Sequence, residues 1–159
     1  MNALVVVESM YGNTAKIAEA IGTQIGAEVV GPAELTDERL EGIDLLVVGA
    51  PTHAFGLPRA STRRDAMQKT GRPVEGTDEG LRERLEALHD HRGLRTAAFS
   101  TRIEVRGLPS RSADKVIAKM LRQHGFDVVA KEAFLVDGSE GPIHEGEIER
   151  AKAWVAEAA

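Results

Sequence analysis

Residues 3–22 read ALVVVESMYGNTAKIAEAIG and predict a strand, a short loop and a helix in direct succession. The run at residues 3–7 is continuously apolar and rich in valine, which is typical of a strand buried on both faces of a parallel sheet. Residues 14–25 carry apolar side chains close to a helical period. The polar residues from Ser9 to Thr14 join the two, so they would lie at a strand end and a helix N-terminus together.

The rest of the chain repeats this alternation. Apolar, β-branched segments predict four further strands, at residues 28–30, 44–48, 95–100 and 127–136. Helical periodicity predicts helices at residues 81–88, 110–124 and 145–158. The resulting order, βαβ(α)βαβαβα with the bracketed helix left open, indicates an α/β fold with a doubly wound parallel sheet. Because there is no internal repeat, and the polar stretch at residues 71–80 is typical of a surface loop, we expect one domain over residues 1–159.

Composition excludes several classes of function. The 159 residues include no cysteine, which removes disulfides, thiolate nucleophiles, iron–sulfur clusters and cysteine zinc sites. The formal net charge of −5 disfavours general nucleic-acid binding, which needs a basic footprint. No apolar run approaches the roughly 20 residues of a membrane span, and the first residues lack the basic region of a signal peptide. Together with the absence of cysteine, these features lead us to expect a cytoplasmic protein.

The loop at residues 9–14, SMYGNT, is the main candidate for ligand binding. A helix N-terminus offers unpaired backbone N–H groups and a partial positive charge, which suit a phosphate monoester. Ser9, Asn13 and Thr14 add polar side chains, and Gly12 lets the backbone approach a phosphate without a Cβ clash. The same residue types occur at ordinary helix N-caps, so the segment alone leaves both interpretations open. Its position at a strand end in an α/β sheet favours the ligand site.

Residues 5–18, VVVESMYGNTAKIA, resemble the signature of the flavodoxin family, an apolar strand followed by Ser/Thr-x-Thr-Gly-Asn-Thr and the first helix. Ser9, Gly12, Asn13 and Thr14 match this pattern, whereas Tyr11 stands in place of the usual middle threonine. The resemblance implies a flavodoxin-like three-layer sandwich, with a five-stranded parallel sheet in the order 2-1-3-4-5 and helices on both faces. It also implies one bound FMN, whose phosphate the whole loop, including Met10, would surround.

The resemblance places two more loops around the flavin ring. The third predicted strand runs into a loop that would line the isoalloxazine. Its residues are Pro51, Thr52, His53, Ala54, Phe55 and Gly56. At the end of the fourth strand, Ser100, Thr101 and Arg102 would close on the other side of the ring. Flavodoxins commonly carry a tyrosine in this second loop, and here no aromatic residue lies between Thr101 and Ser112. This departure predicts a more open flavin site.

The function that the resemblance implies is electron transfer through the single FMN, with a redox partner protein or a small quinone-like molecule as the other reactant. An FMN-dependent NAD(P)H:quinone-type reductase is an alternative, and so is a flavodoxin-like domain that has lost its flavin. A phosphoacceptor receiver domain is excluded, because residues 49–51 offer no aspartate at the end of the third strand. The sequence assigns no catalytic residue and no metal ligand. His89 and His91 are interpreted as a helix C-terminal cap.

Overall fold

The computed structural model describes residues 1–10, 12–52, 57–58, 80–104, 112–138 and 141–159. Five strands form one parallel sheet in the order β2-β1-β3-β4-β5, as predicted. The strands are β1 Ala3–Val7, β2 Glu28–Val30, β3 Leu45–Pro51, β4 Arg95–Ile103 and β5 Asp127–Val136. The helices within the described ranges are α1 Asn13–Ile25, α2 Leu81–Ala87, α3 Ala113–Gln123 and α4 Glu147–Ala158. The predicted α/β fold class is confirmed.

Side chains of the central strands alternate between two apolar cores, one on each face of the sheet. Leu4 and Val6 of β1 lie in the core shared with α2 and α3. Val5 and Val7 lie in the opposite core, shared with α1 and α4. Burial on both faces explains the continuous apolar runs of β1 and β3, and it gives three layers: helices, sheet, helices. None of the described helices is long and apolar enough to cross a membrane.

Strands β3 and β4 extend further than the sequence pattern predicted. β3 continues to Pro51 and β4 continues to Ile103. The added residues are paired, with Pro51 opposite Thr101 and Ile103 opposite Val136. Gly49 and Pro51 are residue types typical of loops, but pairing with β4 holds both of them in β3. β4 in turn has a partner strand on each side, which keeps its last residues in the sheet. Thr101 and Arg102, expected at the end of the fourth strand, are therefore strand residues.

Left-handed glycines set two helix boundaries. α4 begins at Glu147 rather than at residue 145, because Gly146 in the N-cap position has a φ of +83°, outside the helical region. α3 ends just before Gly125, whose φ is +80° and whose N–H donates to the carbonyl of Arg122 at 3.1 Å. Between β2 and β3, where a helix was left open, the chain forms a 3₁₀ turn at Pro32–Glu34.

A carboxylate shared by two histidines ties the end of α2 to the turn before β3. The Asp37 oxygens lie 2.7 Å from His89 Nδ1 and 2.6 Å from His91 Nε2, and the backbone N–H of His89 donates to the same carboxylate at 3.0 Å. α2 itself ends at Ala87. The capping interpretation of these histidines is therefore wrong, because they form a tertiary link. In the described ranges, no group of side chains is arranged to hold a metal ion.

This link makes stability depend on pH. Hydrogen bonds from His89 and His91 lower the pKa of the Asp37 carboxyl from 3.8 to about 2, and the bond to Asp37 raises the pKa of His89. The contribution of Asp37 is present above its ordinary pKa and is lost as pH falls toward about 2. The contribution of His89 is present below its ordinary pKa of 6.5 and is lost as pH rises through the raised value.

We expect Asp37→Asn to lower the free energy of unfolding by no more than about 1 kcal/mol, because water screens this link. The loss should be largest between about pH 4 and pH 6.5, where both contributions are present, and should vanish near pH 2. Thermal unfolding of wild type and variant over this pH range measures the difference. A difference that stays constant from acid to neutral pH would show that the link carries no charge interaction.

Candidate functional site

The carboxyl ends of β1, β3 and β4 meet the N-termini of α1 and α3 at one edge of the sheet. The chain runs outward from β1 to β2 on one side and from β3 to β4 on the other, so strand order reverses between β1 and β3. Ligands of open parallel sheets bind at this edge, outside the point of reversal. The loop that follows β1 lies there.

The turn into α1 depends on Ser9 and Gly12. Gly12 is the N-cap residue of α1 with a φ of +93°, a left-handed conformation that favours glycine. In the described part of the chain, no heavy atom outside the neighbouring residues lies within 4 Å of the position that a Cβ would take at Gly12. Ser9 Oγ accepts hydrogen bonds from the N–H groups of Gly12 at 3.2 Å and Ala15 at 3.3 Å. The Ser9 hydroxyl therefore shapes the loop and caps the helix.

The first turn of α1 has donors without acceptors. Within the part of the chain that the structure describes, no hydrogen bond uses the backbone N–H groups of Asn13 and Thr14. The side chain of Asn13 is buried, and its Nδ2 has no hydrogen-bond partner. A buried donor without an acceptor is costly, by about 1–3 kcal/mol. An anion at this position would supply the missing acceptors, and the helix dipole would favour its charge.

A buried hydroxyl pair fixes the end of β4 against the start of α1. Thr14 Oγ1 and Thr101 Oγ1 are 2.8 Å apart, and both side chains are buried. The contact joins residues far apart in sequence, and it places the end of β4 next to the phosphate-loop candidate. Thr14 and Thr101 were both predicted site residues, and the structure brings them together.

Two other predicted site residues use their hydroxyls to hold α3. Thr52 Oγ1 accepts the N–H of Ala113, the first residue of α3, at 3.1 Å. Ser100 is fully buried, and its hydroxyl donates to the carboxylate of Asp114 at 2.7 Å. Both contacts fix the N-terminus of α3 at the ligand edge. In the structure, Ser100 and Thr52 are thus engaged with the protein itself.

The remaining described candidates lie around this edge. Met10 is buried, and Pro51 is half-buried at the end of β3. Arg102 is half-buried on β4, and its Nε is buried without a hydrogen-bond partner. Ser112, in the N-cap position of α3, likewise has a buried Oγ without a partner. The other predicted site residues lie outside the described residues. They are Tyr11, His53, Ala54, Phe55 and Gly56.

Sequence analysis gave no binding or structural role to Glu8, which directly follows β1. Its side chain is 2% exposed, and its Oε1 accepts the backbone N–H of Leu81, the first residue of α2, at 2.8 Å. The sequence does contain one sign of such a role: Glu8 is a charged residue that directly continues a fully apolar strand. A charged residue in that position needs a partner if it is buried. The partner lies 73 residues away, so sequence alone could not name it.

Comparison with known proteins gives a structural likeness only. No protein-family model matches the sequence, and no curated protein sequence matches it. Among solved structures, a flavodoxin from the domain Archaea is 22% identical, with 100% of this chain and 96% of that chain covered and a TM-score of 0.65. Flavodoxin 2 from Bacillus cereus is 19% identical, with 99% and 97% covered and a TM-score of 0.69.

The chain has the flavodoxin-like fold. A third structure with this fold, the flavodoxin, WrbA-like protein from Agrobacterium tumefaciens, is 19% identical. The match covers 99% of this chain and 94% of that chain, with a TM-score of 0.62. In each case nearly the whole of both chains is aligned, so the likeness concerns the fold of the entire chain. The predicted resemblance in fold is confirmed.

Proposed function

We propose that this flavodoxin-like chain binds one FMN at the carboxyl edge of its sheet and transfers electrons through it. The observation that supports this proposal is the group of unused donors at the start of α1, namely the backbone N–H groups of Asn13 and Thr14 and the buried Asn13 Nδ2. A phosphate monoester fits them, since its oxygens accept several hydrogen bonds at once.

The loop at residues 9–14 would hold the phosphate with neutral hydrogen-bond donors. No lysine or arginine lies within residues 9–14, so hydrogen bonds and the helix dipole would have to stabilise the phosphate charge. A charge-assisted hydrogen bond contributes about 1.5–3 kcal/mol. Two such bonds correspond to FMN binding at least about 100-fold tighter than riboflavin, which lacks the phosphate.

FMN supplies the redox chemistry when bound, and the protein supplies position and electrostatics. The Thr14–Thr101 hydroxyl pair holds the end of β4 beside the phosphate loop, so the two sides of the site keep a fixed spacing. We assign Arg102 to the flavin ring, because its Nε is buried without a partner at this edge. Its guanidinium would donate to a ring carbonyl and favour negative charge on the reduced flavin.

We further propose that the protein exchanges electrons with a redox partner protein or with a small quinone-like molecule. We also propose that it works in the cytoplasm. A carrier role is favoured because the sequence has no G-x-G-x-x-G nicotinamide fingerprint. The absence of cysteine is compatible with a reducing compartment.

We expect the FMN-loaded protein to show no sustained oxidation of NADH or NADPH with benzoquinone, above the rate of free FMN at equal concentration. Addition of an NADPH-dependent flavoprotein reductase should then reduce the bound FMN, because a carrier takes its electrons from a partner. Loss of NAD(P)H absorbance and bleaching of the flavin band measure the two steps. Sustained turnover with quinone and without the reductase would contradict the carrier role and favour the quinone-type reductase.

A further inference from the structure

The segment after β5 folds back toward the phosphate-loop candidate. Val136 and Ile143 form an antiparallel bridge, and the N–H of His144 donates to the carbonyl of Leu135 at 2.9 Å. The N–H of Asp137 donates to the carbonyl of Pro142 at 2.9 Å. We call the described residues 137, 138 and 141–144 the Gly141 turn. Backbone hydrogen bonds therefore anchor this turn to the end of β5.

A side-chain contact closes the Gly141 turn. His144 Nδ1 and Asp137 Oδ1 lie 2.9 Å apart, and both side chains are more than half exposed. The carbonyl of His144 also accepts the N–H of Glu147 at 3.2 Å, which joins the turn to the start of α4. The turn is thus held at both ends, by β5 and by α4.

The Gly141 turn packs directly on Asn13. A Cβ built at Gly141 would lie 2.7 Å from Asn13 Oδ1, too close to be kept without a shift, and 3.1 Å from Asn13 Nδ2, which is already a tight contact. Gly141 also has a φ of +97°, which favours glycine. Asn13 is 6% exposed, so its amide has little freedom to move away. The backbone at Gly141 therefore fixes the position of the Asn13 side chain.

We propose that the Gly141 turn is a positioning element of the phosphate site, which holds the Asn13 amide in place to donate to the ligand phosphate. This inference rests on the proposed function, because it assigns a role in the same site. A residue larger than glycine at position 141 would displace the amide and weaken binding of the phosphate, while the ring-binding part of the site would be unchanged. The effect should therefore appear with FMN and not with riboflavin.

Gly141→Ala tests this proposal, with Gly146→Ala as its matched control. Gly146 has a similar positive φ, +83°, but among the residues that the structure describes, chain neighbours aside, no heavy atom lies within 4 Å of the position of its Cβ. The control thus carries the same backbone strain without the contact to Asn13. We expect Gly141→Ala to weaken FMN binding about tenfold, which corresponds to the loss of one charge-assisted hydrogen bond to the phosphate. Riboflavin binding should be unchanged. Gly146→Ala should leave both dissociation constants within about twofold of wild type.

A double variant separates positioning from general damage to the loop. If Gly141→Ala acts through Asn13, it should cause no further loss of FMN affinity in an Asn13→Ala background.

His144→Ala provides a second test of the Gly141 turn, because the exposed side chain can be removed without disturbing the core. This variant loosens the turn and should weaken FMN binding about two- to fivefold, again without an effect on riboflavin. It keeps the proposal testable if Gly141→Ala does not fold.

The outcomes separate this inference from the proposed function. Equal loss of FMN affinity in Gly141→Ala and Gly146→Ala, or the same loss with and without the Asn13 side chain, would overturn the positioning role and leave FMN binding intact. An unchanged FMN affinity in His144→Ala, with Gly141→Ala unfolded, would also overturn it. A wild-type protein that binds neither FMN nor inorganic phosphate would overturn both proposals.

Discussion

Gly49→Ala is expected to lower the free energy of unfolding by about 2–3 kcal/mol, because the added methyl group overpacks a filled core. A Cβ on Gly49 would overlap the ring of Phe99, its partner across β3 and β4. Phe99 is fully buried, and it packs against Phe134 and Trp154, with ring centroids 6.3 Å and 6.4 Å away. The ring therefore has no free space to move into. Denaturant unfolding of wild type and variant measures the loss.

Gly138→Ala is the matched control for this change, because among the described residues a Cβ there would meet only the carbonyl oxygen of Gly141, at an ordinary 3.7 Å. In a Phe99→Leu background, the alanine at position 49 should cost at least about 1 kcal/mol less, since the smaller side chain leaves room for it. A Gly49→Ala variant as stable as wild type would contradict the packing described for β3 and β4.

Asn13→Asp is expected to weaken FMN binding by roughly 100-fold or more, with riboflavin binding within about twofold of wild type. The substitution keeps the shape of the side chain and places a carboxylate at the phosphate site. Two like charges about 4 Å apart repel by about 4 kcal/mol at an effective dielectric constant of about 20.

Asn2→Asp is the natural control for Asn13→Asp, since Asn2 is the other asparagine of the chain. It adds the same charge at the opposite edge of the sheet, where the exposed Asn2 lies just before β1. Quenching of flavin fluorescence in parallel titrations with FMN and riboflavin gives the four dissociation constants. Equal weakening of FMN by the two variants would mean that only net charge matters, and would contradict a phosphate at α1.

The central strands could be predicted because β1, β3 and β4 are buried on both faces and need continuous apolar runs. Their order in the sheet came from the resemblance to flavodoxins. The carboxyl ends of β3 and β4 could not be predicted. Gly49 and Pro51 are loop formers in isolation, yet β3 includes both, because pairing with β4 decides where a strand ends. The start of α4 was misplaced by two residues for a local reason, the left-handed conformation of Gly146.

The candidate site also has one part that the sequence predicts and another part that it does not. The loop from Ser9 to Thr14 could be predicted, because a strand, a capping sequence and a helix follow one another in the chain. The contacts that fix this loop join distant segments, such as Thr14 with Thr101 and Asn13 with Gly141. No spacing or composition rule reveals such pairs in a single sequence, so they emerged only from the folded chain.

The most direct test of the phosphate site is a parallel titration of the wild-type protein, freed of any flavin, with FMN and with riboflavin. We expect FMN to bind at least about 100-fold more tightly, because only FMN carries the phosphate that would accept the free donors of Asn13 and Thr14. Equal affinity for the two flavins, or no binding of either, would contradict a phosphate-anchored FMN at the start of α1.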